Sequence, residues 1–371
     1  MVAHWDWVLA HFRLPIARAL REAGAEVVLV SPPGDSVARF TDESFRWVPW
    51  RVDRSSMAPH REAIAVTSLA RIYRRERPDV VHHYTIKPSL YGTLAGRMTG
   101  VGTIVNVFSG LGFVFGDDRN ARLLRRTLLP VMRAAFRSDR VWLFALNEED
   151  LEALRTARLA RPDRSALLPE GVDTDRFTPP SDVVERDVPV VLLACRLLSD
   201  KGVPELVQAA TILRDRGVAV DIRIAGAADS GNPRSITDEQ YERWQAEAPV
   251  DFLGARSDLH ELLRETDIAV LPTHYKEGLP WFLLEAGATA VPLIATDVPG
   301  CRDVVQHGRT GLLVPPRDPF ALAAAIAELA QDATRRAALG RAARQLVLND
   351  HSERHVQREH VRLYRGFGVL A

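Results

Sequence analysis

The chain has 371 residues, 46% of them hydrophobic and 26% charged, and its 48 basic side chains are balanced by 48 acidic ones. That length is too great for one ordinary core and makes two domains the natural division. The composition excludes a disordered or fibrous protein, no apolar run approaches membrane-spanning length, and no signal-peptide pattern opens the chain.

Taken in order, the first half alternates strand and helix. Residues 1–15, MVAHWDWVLAHFRLP, begin near the end of what should be a first strand, so the natural start codon is expected upstream and the central sheet short of partners. A helix over 13–24 leads to strands over 25–32 and 45–52, a helix over 61–76, a strand over 79–85 and a helix over 88–100. Strands follow over 103–109 and 141–146. His82 and His83 end the 79–85 strand. As neighbours they point to opposite faces, which argues against joint metal binding and leaves one of them facing the core. The polar, Pro-rich segment from 178 reads as a linker. Beyond it the pattern restarts, with strands over 188–195, 219–226, 250–254, 268–272, 292–296 and 311–315.

Such alternation implies parallel sheets covered by helices on both faces. The fold class is therefore α/β, two Rossmann-like doubly wound domains facing each other across a cleft. The expected domains are 1–178 and 188–350, with 351–371 a helix crossing back to the first.

Charge is unevenly spread. Residues 1–180 carry 26 Lys+Arg against 21 Asp+Glu, and residues 181–371 carry 22 against 27. A nucleic-acid binder is usually basic overall, so the modestly basic first half points to an anionic surface or substrate instead. Two cysteines, Cys195 and Cys301, read as reduced cytosolic thiols, neither a disulfide scaffold nor a zinc site. Only three lysines occur, Lys87, Lys201 and Lys276, and all fall in loop-like positions. A lysine retained where arginine is so dominant can mark a compact point charge on a phosphate.

The densest chemistry lies in YKEGLPWFLLEAG, residues 275–287. Here Glu277 sits in a loop after a buried strand, and Glu285 falls in the second turn of a helix that should start near Pro280. Alone, the stretch reads more readily as a loop acid and an amphipathic helix with one solvated Glu. Upstream, in ACRLLSDKGVPEL, Arg196 and Lys201 follow a strand and precede a helix, a good site for a diphosphate. Two cations for a diphosphate and two acids for hydroxyl groups together match a nucleotide diphosphate sugar.

With those residues in view, the sequence resembles the family 4 retaining glycosyltransferases, which have the two-domain GT-B fold. The likeness covers nearly the whole chain and is strongest over 188–305, through ACRLLSDKG, FLGARSDLHELL, DIAVLPTHYKEGLPWFLLEAGA and VPGCRDVV. The resemblance implies that Glu285 binds ribose hydroxyls, Glu277 the transferred sugar, and Arg196 and Lys201 the diphosphate leaving group. It implies further donor contacts from Gly278 and Leu279 through backbone N–H groups, from Gly226, and from Gly254, Arg256 and Leu259 around the base. No metal or other cofactor is expected; Asp173 to Asp175 in EGVDTDRF read as a structural turn. HFRLP (11–15), HYTIKPS (83–89) and SGLGFVF (109–115) resemble a subgroup that extends bacterial surface glycans on lipid-diphosphate carriers. This likeness implies acceptor-side roles for His11, Arg13, Lys87 and Ser109. Two departures stand out: HWDWVLAH replaces a Gly-Gly phosphate loop, and Ser109 replaces a His.

The implied activity is a hexosyltransferase using a UDP-sugar, acting on a lipid-linked or glycan acceptor. Alternatives are a nucleotide-sugar 2-epimerase of the same fold and a non-catalytic nucleotide-binding subunit. The implied location is cytoplasmic, peripheral at the inner face of the plasma membrane. Residues 119–140 carry seven arginines at helical spacing. Arg119, Arg122, Arg126, Arg133, Arg137 and Arg140 share one face, which Arg125 widens, and such a face suits an anionic bilayer as well as plain solvent. Pro130 is expected to kink or break this helix.

Overall fold

The structure, a computed structural model, describes residues 1–53, 58–111, 115, 119–181, 186–229 and 231–370; the side chains of 119–124 are also outside that description. The chain divides into two compact units: Met1–Glu170 with Arg354–Ala371, and Gly171–Glu353. Both are parallel α/β sheets.

The first unit contains β1 (Val28–Ser31), β2 (Arg46–Pro49), β3 (Val80–Tyr84), β4 (Thr103–Phe108), β5 (Val141–Ala145) and β6 (Ser165–Leu167). All pair in parallel, β1 with β2 and β3 through β6 in sequence. Residues 1–3 join the two groups. Val2 bridges both Val30 and His83, its N–H donates to the His82 carbonyl at 2.8 Å, and the Ala3 N–H donates to that of Val30 at 3.0 Å. A three-residue stub thus occupies the central position that the sequence assigned to a first strand. β6 escaped the sequence reading because it is three residues long, with two of them exposed, and shows no alternation.

Both histidines of β3 are buried, at 1% and 0% exposure, not one of them. Helices cover both faces of this strand, so opposite faces mean two interiors rather than one core and one surface. His83 bonds Asn106 at 2.8 Å and the Tyr73 hydroxyl at 2.7 Å, and burial holds its imidazole down to about 3. A Cβ at Gly92 would fall within 2.1 Å of that ring, so glycine there makes its room. His82 bonds the Tyr364 hydroxyl at 3.0 Å. Tyr364 belongs to helix Glu353–Gly366, and its first-unit residues pack Val356 and Tyr364 against Ile16 and Leu20.

Arg119–Phe136 forms one helix, unbroken at Pro130, but Arg137 and Arg140 lie past its end, so the single arginine face expected over 119–140 is cut short. Met132 and Ala135 are buried on one side, whereas Arg126, Arg133, Arg137 and Arg140 are exposed. Arg119 and Arg122 lie among the side chains outside the description.

The second unit contains β7 (Val190–Ala194), β8 (Asp221–Ala225), β9 (Asp251–Gly254), β10 (Ile268–Leu271), β11 (Leu293–Thr296) and β12 (Gly311–Val314). Their order is β12-β11-β10-β7-β8-β9. The direction of winding reverses between β7 and β10, and in open α/β sheets ligands bind outside the carboxyl ends of the strands at that reversal. Every residue of β10 and β11 is buried, as strands covered on both faces require. They read as continuous apolar runs for that reason.

Candidate active site

The two loops that leave the carboxyl ends of β7 and β10 meet, and they carry the residues singled out from sequence. After β7 the chain makes a short 3₁₀ turn, Ser199–Lys201, then helix Val203–Asp215. Gly202 joins them at φ +80°, and a Cβ there would stand 2.1 Å from the Pro272 carbonyl oxygen. Only glycine allows the Lys201 turn to sit this close to the end of β10. Gly300 does the same from a third loop: its Cβ would lie 2.6 Å from the Glu277 carbonyl oxygen.

Lys201 and Glu277, assigned separate tasks from sequence, form an ion pair at 2.6 Å with side-chain exposures of 18% and 10%. Burial alone would push the Lys201 ammonium down, but the charge and hydrogen bond of Glu277 outweigh it and hold the ammonium above its usual range. Lys201 therefore stays charged. Its Nζ lies 5.9 Å from the Tyr275 ring centre. Arg196 is over half exposed and pairs with Asp229 at 2.6 Å. Asp229 also accepts from the Asn232 amide at 3.2 Å. Asp200 pairs with Arg234. Asp229 and Arg234 lie in the segment after β8, which folds back on the Arg196 loop through the Leu198–Ser235 bridge. Neither was singled out from sequence; their only signal was a run of small and polar residues with no periodicity.

Helix Trp281–Ala288 begins after Pro280 at its N-cap, as the proline foretold. Glu277, Gly278 and Leu279 are buried just before it, and Glu285 is half-buried within it. Burial pushes the Glu285 carboxyl up to about 8, against the opposing charge of Arg176. A carboxyl whose folded value is raised favours the protonated state, so its contribution to stability is full below about 4.5 and is lost as pH rises from there to about 8. Hydroxyl groups donating to this carboxylate would favour the ionised form and pull the value back down. Ligand binding through them near pH 7 is therefore expected to release a proton. Calorimetric titration of UDP in buffers of different ionisation enthalpy should detect more released protons in the native chain than in Glu285→Gln.

The remaining residues that the resemblance assigns to the donor lie at the ends of β8 and β9. Gly226 follows β8, and its N–H donates to the Gly254 carbonyl at 2.8 Å. Arg256 is exposed and forks onto Asp258 through two nitrogens, and Leu259 opens helix Leu259–Arg264. Asp173 accepts from the N–H groups of Asp175 and Arg176 at 3.0 Å, closing a turn on its own backbone. Burial raises both thiols, that of Cys195 to about 12, so neither is a reactive nucleophile.

In the first unit the acceptor-side expectation fails for Arg13. Its side chain is 4% exposed, forks onto the buried carboxylate of Glu170 with one bond of 2.6 Å, and lies 4.3 Å over the Tyr84 ring. A buried guanidinium needs a buried acid, and Glu170, 157 positions away, supplies it. Arg13 holds the unit together and presents nothing to an acceptor. His11 is exposed, stacked on Trp7 at 4.4 Å. Lys87 donates to the Asp53 carbonyl at 2.9 Å and meets Glu62 at 3.4 Å. Ser109 is half-buried just past β4. Of SGLGFVF, residues 112–114 lie outside the described residues.

Two doubly wound units, with the second unit's switch point furnished by cations and acids, define a GT-B glycosyltransferase. The comparisons agree. Residues 176–346 match the family model "Glycosyl transferases group 1", and residues 2–141 match "Glycosyl transferase 4-like". The chain is 27% identical over 375 residues to the N,N'-diacetylbacillosaminyl-diphospho-undecaprenol alpha-1,3-N-acetylgalactosaminyltransferase of Campylobacter jejuni, covering 98% of this chain and 97% of that protein. It is 24% identical over 300 residues to the UDP-Gal:alpha-D-GlcNAc-diphosphoundecaprenol alpha-1,3-galactosyltransferase of Escherichia coli, covering 78% and 76%. Among solved structures, Anabaena HepE in complex with UDP superposes with a TM-score of 0.78 over 98% of each chain, at 16% identity. The chain belongs to the family 4 glycosyltransferases and is an enzyme that transfers sugars.

Proposed function

We propose that this enzyme moves a sugar from a UDP-sugar to a glycan carried on a lipid diphosphate, with retained configuration at the anomeric carbon, in the synthesis of a bacterial surface polysaccharide. The observation that carries the reading is the Lys201–Glu277 pair at the switch point of the second unit, with Arg196 beside it. Two relatives named for diphospho-undecaprenol-linked substrates, one of them also for a UDP-sugar, support both substrate classes, and a neighbour of the same fold holds UDP.

In this reading Lys201 and Arg196 bear the charge that develops on the departing diphosphate, so no metal is required for that task. An acceptor hydroxyl oxygen bonds to the anomeric carbon on the face that UDP leaves. The bond from that carbon to the diphosphate oxygen breaks, and the hydroxyl proton passes to the departing diphosphate. Glu277 orients the sugar hydroxyls, and Glu285 takes the ribose diol. Incubating the chain with a panel of UDP-sugars and a lipid-diphosphate-linked monosaccharide tests this by mass spectrometry of the lipid. One sugar added, with UDP released, is expected.

The same reading places the enzyme on a membrane surface. Among the described residues no helix is long and apolar enough to cross a membrane. Attachment would instead run through the exposed Arg126 and Arg133 of the helix and the exposed Arg137 and Arg140 just past its end, at about 1 kcal/mol per cation near an anionic surface. Flotation with anionic liposomes should show salt-sensitive binding that fails when Arg126, Arg133 and Arg137 all become Gln. Unchanged flotation of that variant would make the stripe a solvated face.

A further inference from the structure

Between the two catalytic loops lies Thr273, fully buried at 0% exposure and absent from every role assigned above. Its Oγ1 is 2.9 Å from Glu277 Oε1 and 3.0 Å from the Asp200 carbonyl oxygen. One hydroxyl has one proton, so it can serve only one of these acceptors at a time. The Asp200 carbonyl already receives the His274 N–H at 2.9 Å. Oγ1 itself accepts the Tyr275 N–H at 3.2 Å, which leaves its own proton to donate. Glu277 is the charged acceptor of the two, and charge-assisted bonds are the stronger kind. The proton therefore goes to Glu277. Lys201 Nζ reaches the same oxygen at 2.6 Å, so two donors converge on Oε1 and fix the rotation of the carboxylate. Thr273 is held in turn from behind, where the Thr296 hydroxyl donates to its carbonyl.

Resting on the functional reading above, we infer that Thr273 is a positioning residue: it sets the Glu277 carboxylate for the transferred sugar and divides that acid's attention between a neutral donor and Lys201. Without the hydroxyl, Glu277 Oε1 loses one of the donors that fix its rotation, and the Lys201 ammonium draws the carboxylate away from the orientation that meets the sugar. UDP carries no transferred sugar, so its binding reports on Lys201 and Arg196, and Lys201 keeps its pairing with Glu277 whichever way the carboxylate turns.

The test compares the full chain with Thr273→Val, Thr273→Ala and Thr273→Ser. Each is measured for UDP affinity by calorimetry, for kcat with UDP-sugar and a lipid-diphosphate-linked acceptor, and for thermal unfolding. The loss of one hydrogen bond to a charged group predicts a fall in kcat of roughly 10- to 100-fold in the Val and Ala variants. UDP affinity should stay within about threefold, and Ser should restore kcat to within about threefold of the native value. Ala keeps the test available should Val disturb the packing. Native kcat in Val or Ala overturns the inference, and so does a parallel loss of UDP affinity and kcat, which would mark a structural role. A native chain that neither binds UDP nor transfers sugar overturns the functional reading itself, and this inference with it.

Discussion

Replacing Lys201 by alanine is expected to lower turnover by roughly 10²–10³-fold, the range seen when one charge-stabilising donor is removed from an active site. UDP affinity should weaken by at least about tenfold, since a hydrogen bond to a charged group is worth roughly 1.5–3 kcal/mol. The magnitude follows from where the ammonium sits. Its side chain is 18% exposed, fixed by Glu277 at 2.6 Å, on a turn that Gly202 holds against Pro272. It meets a developing charge without reorganising. Arginine should not rescue it, because a planar fork of five donors does not replace a compact ammonium held 2.6 Å from Glu277. Calorimetric UDP titration and single-turnover transfer check both numbers. A UDP dissociation constant unchanged in Lys201→Ala would remove this residue from the diphosphate site.

Glu277→Gln should split the two measurements in opposite directions. Turnover is expected to fall by roughly 10²–10³-fold, because the sugar loses a charged hydrogen-bond acceptor where its orientation is set. UDP should bind as tightly as before or more tightly, since removing the acid frees Lys201 for the diphosphate. The unliganded variant should also melt earlier. Breaking a largely buried ion pair leaves an uncompensated charge, at a cost of about 3–5 kcal/mol in the buried limit, and Glu277 is only 8% exposed. A ligand that supplies the missing negative charge should recover much of that loss, so UDP is expected to stabilise Glu277→Gln more than it stabilises the native chain. Native turnover in this variant would rule out contact between Glu277 and the sugar.

Much of this architecture was legible in the sequence because its signals are local. Apolar runs such as IAVLP mark strands covered on both faces, and Pro280 marks a helix start whether or not the rest of the fold is known. What the sequence concealed depends on distance along the chain. Lys201 and Glu277 are 76 positions apart, and nothing in either loop says that they pair. Arg13 resembled an exposed acceptor-side cation because Glu170, the acid that buries it, lies at the far end of the first unit. Thr273 carries no signal at all: a single hydroxyl after an apolar strand reads as the strand's polar end, and its use appears only when the β7 loop arrives beside it. His82 and His83 show the limit of alternation as a guide. The period says opposite faces, but whether the second face is buried depends on the helices that cover it.

Sugar transfer from a nucleotide diphosphate sugar to a lipid-diphosphate-linked acceptor is tested most directly by one measurement. The purified chain is incubated with UDP-sugar and a synthetic polyprenyl-diphosphate-linked monosaccharide, and the lipid product is followed by NMR while free UDP is quantified. The account predicts a disaccharide whose new linkage keeps the anomeric configuration of the donor, formed in equal amount to UDP and only when acceptor is present. An epimerised nucleotide sugar formed without acceptor, or a linkage of inverted configuration, would contradict it.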